Sequence, residues 1–255
     1  RVVSSGNLQM VDRSSVNGEF NLDRDVGFDI RSKTFLGSEK IRYYSGIYMG
    51  EGHSSYKMGD LGMMYLTRLE LLPLGSFKDY SESVFQSLDR PQLSLGIAFA
   101  YLKDGKKDSG IIGDIPLDGG TTDTLNATAD MTFRMSKLSV ESAFFWRDGT
   151  RNSGENVDEN GLSIPTVEPR NGMGYYVQGG YFISKNLLEV TGRYGEVISA
   201  EKNSSLEEHN EVGMGLNYYF AQHAFKLQSD YFLIFEEGQI SEGTQQFRLQ
   251  LQMAY

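Results

Sequence analysis

The stretch Leu93-Ser94-Leu95-Gly96-Ile97-Ala98-Phe99-Ala100-Tyr101 decides the fold class. Every second residue is large and apolar, and the residues between are small. In an extended chain alternate side chains fall on opposite faces, so this is one apolar and one small-residue face of a strand. Leu125, Ala127, Ala129, Met131, Phe133 and Met135 repeat the pattern, with Asn126, Thr128, Asp130, Thr132 and Arg134 between them. So do Phe247, Leu249, Leu251, Met253 and Tyr255, separated by Arg248, Gln250 and Gln252. A helix would space its apolar residues three and four apart.

Working outward, the same period predicts eleven strands, over 25–36, 41–49, 61–72, 92–102, 122–135, 137–147, 173–183, 187–197, 210–220, 224–236 and 244–255. Each has about the nine to eleven residues that a tilted strand needs to cross a bilayer. No run of apolar residues is long enough for a membrane helix, and the mean hydropathy is −0.39. The 255 residues include 15 Tyr, 15 Phe and 29 Gly but only 5 Pro, the profile of many short strands joined by turns. With no Cys there is no disulfide framework and no thiol chemistry. A net charge of −10 speaks against nucleic acid as a partner. The chain opens on Arg1-Val2-Val3 with no signal peptide, as a mature end or a fragment would.

Alternation alone also fits a soluble sandwich, whose apolar face points into a packed core. Strand length, strand number and the aromatics on the apolar face favour a transmembrane barrel. Tyr43, Tyr101, Phe133, Trp146, Tyr175, Tyr181, Tyr194, Tyr218, Phe220, Phe225, Tyr231 and Tyr255 recur as an interfacial girdle would. On this reading Leu95, Ile97, Phe99, Met131, Leu216 and Leu251 meet lipid, and arginine is tolerated far better at Ser94 or Thr128 than at those positions.

Connections alternate too. Gly37–Lys40, Ser136, Ser184–Asn186 and Ala221–His223 are tight, whereas 50–60, 103–121, 148–172, 198–209 and 237–243 are long and polar. Short periplasmic turns and long outer loops are the rule for outer-membrane barrels. One connection, 73–91, is long where a short one is expected. Eleven strands is an odd number, whereas a bacterial single-chain barrel has an even one. At least one further strand is therefore expected, with residues 1–24 outside or folded back into the pore.

Ser4-Ser5-Gly6-Asn7-Leu8-Gln9-Met10-Val11-Asp12-Arg13-Ser14, followed by Phe20-Asn21-Leu22-Asp23-Arg24-Asp25-Val26-Gly27, resembles the phosphate-selective porin O and P family. Tyr44–Gly52, Asn210–Tyr219 and the terminal Phe247–Tyr255 are similar to later strands of that family. The resemblance implies a sixteen-stranded outer-membrane barrel of a Gram-negative bacterium, usually a homotrimer, through which small solutes diffuse. It also implies a further N-terminal portion and a segment equivalent to residues 1–24 that folds into the lumen and narrows it. Lipid and lipopolysaccharide are the implied surroundings. Neither a cofactor nor an enzymatic activity is expected.

The inward face would carry Arg31, Lys33, Arg42, Arg68, Arg134, Arg147, Arg193, Lys226 and Arg248 against Asp29, Glu70, Asp130, Glu141, Glu189, Glu211 and Asp230. Nine cations less seven anions leave +2 inside, so the rest of the chain carries −12 to reach the total of −10, in loops and turns. The signs interleave along single strands, which allows pairing within the wall. The alternative is a basic track of Arg13, Arg24, Arg31, Lys33, Arg42, Arg68, Arg134 and Arg193. In it Arg13, Arg24, Arg31, Lys33 and Arg42 form a ring at one level, conferring a modest anion preference. A structural scaffold with a plugged pore is the competing function. His53, His209 and His223 lie far apart and read as solvated, and Glu155, Asp158 and Glu159 as a solvated acidic loop rather than a metal site.

Overall fold

The computed structural model describes residues 2–32, 34–35, 37–52, 62–85, 88–184, 186–200 and 202–254. Among the described residues eleven strands follow one another in chain order as a single antiparallel sheet. They are β1 (Gly27–Ser32), β2 (Ile41–Tyr48), β3 (Met63–Leu71), β4 (Leu88–Gly105), β5 (Thr121–Ser136) and β6 (Leu138–Asn152). β7 (Gly172–Ser184), β8 (Leu188–Ser199), β9 (His209–Ala221), β10 (Phe225–Phe235) and β11 (Thr244–Met253) complete it. Each overlaps a strand expected from the alternation, although β1 is half the expected length and β6 runs five residues further than expected, to Asn152. β4 starts four residues earlier than expected because Leu88 pairs with Ser136 across a register shift that skips Pro91. Proline has no N–H for the ladder, so a strand accommodates it at such an irregularity.

Ser136, Asn186 and Gln222 take positive φ at the three tightest turns (54°, 57° and 50°), where the twist of a hairpin requires it. The tight turns lie at one end of the sheet and the long loops at the other, except for the long connection between β3 and β4, which lies at the short-turn end. Among the described residues β1 pairs only with β2, and β11 only with β10, so each has one free edge.

The two faces are inverted relative to a soluble protein. Phe99, Met214, Phe247 and Leu249 lie on the outward face and are 56 to 69% exposed. Glu189 and Lys226, on the other face, are fully buried, and Glu70, Asp230 and Arg147 nearly so. Outward aromatics gather near both strand ends. Tyr65, Tyr101, Trp146 and Tyr175 lie toward the long loops, and Tyr43, Phe133, Tyr181, Tyr218, Phe220 and Phe225 toward the short turns. Phe220 stacks on Phe225 at 4.4 Å there.

The polar face curls around inserted chain. Gln9 alone bonds Ser139 of β6, Gln178 of β7, Glu189 of β8, Asn217 of β9 and Gln228 of β10, all within 3.3 Å. Five flat strands would span about 19 Å, far beyond one side chain and its carbonyl, so the sheet must wrap. One expectation fails here. Ser94 is fully buried on this face and donates to Asp79, which leaves no open water into which an arginine could extend.

Candidate functional site

Two segments lie against the concave face. The first, residues 5–22, runs from the short-turn end toward the long loops. Leu8 and Gln9 enter through backbone carbonyls that accept from Lys226 and Asn217 (2.8 and 2.6 Å). Val11 N–H then donates to Asp230, Arg193 donates to the carbonyls of Asp12 and Arg13, and Ser15 N–H donates to Glu211. Ser14 caps a short helix, α1 (Ser15–Phe20), by accepting from Asn17 N–H at 3.0 Å. Val16 and Phe20 of α1 pack on Phe145, Val197 and Leu206. Glycine permits this closeness: a Cβ on Gly180 would sit 2.1 Å from the Gln9 amide, so the inward position opposite Gln9 must lack one.

Glu19 fixes the upper end through Arg170 (2.7 Å) and Arg147. Burial pushes its carboxyl up, but the hydrogen bond from Arg170 and the charges of Arg147 and Arg170 outweigh that and hold it below the usual range. This anchor therefore contributes fully above the ordinary carboxylate pKa and fades as acid protonates Glu19.

The second insertion is the long 73–91 connection that broke the loop rule. Its residues 76–85 lie inside the sheet. Asp79 pairs with Arg42, Tyr80 donates to Glu70, and Arg134 donates to the carbonyls of Lys78 (2.6 Å) and Ser81. Ser83 donates to Glu189 at 3.0 Å, and Phe85 packs against Phe182, Tyr219 and His223. The alternation marks this connection as anomalous, but carries no signal that it turns inward.

The expected cation ring is not assembled. Arg42 is held by Glu70 and Asp79, and Arg31 by Asp29 (2.5 Å). Arg13 donates to the Val3 carbonyl. Arg24 is 81% exposed beside Asp23, and stands before Gly27, whose partner Tyr48 lies at the long-loop end. Arg42 lies at the opposite end of its strand, so the four described members do not share a level; Lys33 lies outside the described residues. The remaining cations of the expected track are also engaged. Arg68 holds Asp130 and Glu70, Arg134 the carbonyls above, and Arg193 holds Glu211. Buried charge in a wall must be paired, because an isolated charge is too costly to desolvate.

His223 is not the solvated residue expected. It sits in the β9–β10 turn under Phe85 and Tyr219, between Ser81 Oγ (3.1 Å) and Lys226 Nζ (3.3 Å). An ammonium can only donate, so Nδ1 accepts from Lys226 and the proton sits on Nε2, facing Ser81. A catalytic base needs the opposite arrangement, with a lone pair toward the hydroxyl. Burial, then the charges of Lys226 and Arg134, push its pKa down to about 3. The folded protein thus favours neutral His223. That stability is complete above pH ~6.5, the value for free histidine, and is lost progressively as pH falls from there toward the folded value. Denaturant titrations at pH 7.5 and 5 will show a lower midpoint in acid, and His223→Gln will reduce that difference; an unchanged difference would place the acid sensitivity elsewhere. His209 stands at the start of β9, and His53 lies outside the described residues. Asp158 accepts from the N–H groups of Asn160 and Leu162 in its exposed loop, and no metal-binding cluster occurs among the described residues.

No family model matches the chain, and no curated protein matches it. Among solved structures it is similar to a BenF-like porin from Pseudomonas fluorescens Pf-5, at 12% identity and a TM-score of 0.44. The similarity covers 88% of this chain and 66% of that one.

Proposed function

We propose that the chain forms the larger part of an outer-membrane channel through which small hydrophilic solutes diffuse. The observation that carries this is the inversion of the sheet: apolar side chains outward on the strands, ionised ones inward and buried. A large continuous apolar exterior has no place in water and matches a hydrocarbon belt flanked by aromatics. Inside hydrocarbon, the free edges of β1 and β11 would cost several kcal/mol per unpaired group, so further strands close the barrel. Five would give the sixteen of the family it resembles, in a Gram-negative outer membrane and as a homotrimer.

Charge selectivity follows from the pairing. Cations tied to carboxylates or carbonyls contribute little net field, so any anion preference of the channel is weak. Purified protein in planar bilayers will conduct in steps, with a reversal potential near zero under a KCl gradient. Absence of conductance would favour a scaffold with a closed pore. That second reading draws support from the two insertions, which cover much of the concave face.

A further inference from the structure

We propose that residues 76–85 form a second, fixed constriction and that Glu82 is the positioning residue joining it to the N-terminal insertion. This inference rests on the channel reading and adds the element that sets its bore at the short-turn end.

Three observations carry it. The connection is long where the barrel needs only a turn, so its length serves something other than closing the hairpin. It is anchored to both sides of the lumen: to β2, β4 and β5 through Arg42, Ser94 and Arg134, and to β7 and β9 through Phe85. A segment touching opposite walls crosses the space between them. Finally, it meets the other insertion. Glu82 Oε2 accepts from Gln9 N–H at 2.7 Å and from Gln178 at 2.8 Å, and Asn7 Nδ2 reaches the Tyr80 carbonyl at 3.5 Å.

The crossing is incomplete. A cavity of about 580 Å³ remains at the short-turn end, lined in part by Phe77, Ser81, Phe85, Gln92, Arg134 and His223. The segment thus narrows this mouth without filling it. Its bonds are buried and specific, with Asp79, Glu82 and Ser83 nearly inaccessible, which marks a built part of the lumen rather than a swinging lid. Both bonds to Glu82 fall on one oxygen, so an amide oxygen in its place can accept them.

The test compares single-channel conductance of the wild type with Glu82→Ala, Glu82→Gln and the triple variant Asp79→Ser/Glu82→Ala/Phe85→Ser. The triple variant removes the contacts of those side chains to β2, β4, β7 and β9 and leaves the segment held by Arg134, Tyr80 and Ser83. Glutamine keeps an acceptor and should conduct as the wild type does. Alanine should raise conductance or its noise, and the triple variant should raise it about twofold or more, because conductance follows the narrowest section. Wild-type conductance in all three variants would overturn the inference while leaving the channel reading intact. If nothing conducts, the channel reading fails and thiol labelling decides this one. The chain has no native cysteine, and Met10 is buried in the N-terminal insertion. Met10→Cys should be protected from a soluble maleimide in an otherwise wild-type chain and labelled in the triple background; equal protection in both would refute the link.

Discussion

Ile97→Arg lowers the free energy of folding into a bilayer by about 2–4 kcal/mol, the cost of an arginine on the lipid face near the midplane. Ile97 stands mid-strand on β4, between Leu69 of β3 and Ala129 of β5, and nearly half of it is exposed on the outward face. Its guanidinium would have to enter hydrocarbon or pull water and headgroups inward. Thr128→Arg, on the opposite face, should cost much less, because Thr128 borders a cavity of about 130 Å³ into which a longer side chain can extend toward Asn21 and Asn126 rather than into hydrocarbon. Ser94 is no longer a mild comparison, since it is sealed against Asp79. Urea titration of folding into lipid vesicles measures the difference. Equal losses at Ile97 and Thr128 would mean that the lipid face has been misassigned, because a one-residue slip exchanges the two faces.

The register of that face was legible because period two is a local property: Leu95, Ile97 and Phe99 declare it without help from the rest of the chain. The tight turns were legible for the same reason. What occupies the lumen was not. Phe145, Phe182 and Tyr219 point inward among polar residues, and the insertions explain them: Phe145 receives Phe20, and Phe182 and Tyr219 receive Phe85. Those contacts join residues more than 90 positions apart, which no window on the sequence contains. Gly180 likewise reads as a neutral strand glycine until Gln9 is seen lying on it. The cations misled for a related reason. A list of basic residues on one face gives their number, but the partners of Arg42 and Arg134 lie on the 76–85 segment, whose inward path the alternation does not encode.

Asp130→Ala should destabilise the protein by about 3–5 kcal/mol, the usual loss when one member of a buried pair is removed. Arg68 of β3 reaches over β4 to Asp130 of β5 with two bonds, at 2.6 and 2.9 Å, while its Nε donates to Glu70 at 2.8 Å. The bridge passes directly over Gly96. A Cβ there would stand 2.3 Å from Arg68 Nη2, so Gly96→Ala should repeat much of the damage without touching a charge. Replacing both partners, as Arg68→Met/Asp130→Leu, removes the stranded guanidinium and should cost clearly less than Asp130→Ala alone. Glu70 would still hold Arg42 (2.7 Å) and Tyr80 in that background. The double variant also bears on selectivity. It deletes one positive and one negative charge that already cancel, so the reversal potential under a KCl gradient should not move. If Arg68 instead served a basic conduction track, Arg68→Met alone would shift the potential toward cations without much loss of stability, and the wall-pairing account of the lumen would fall.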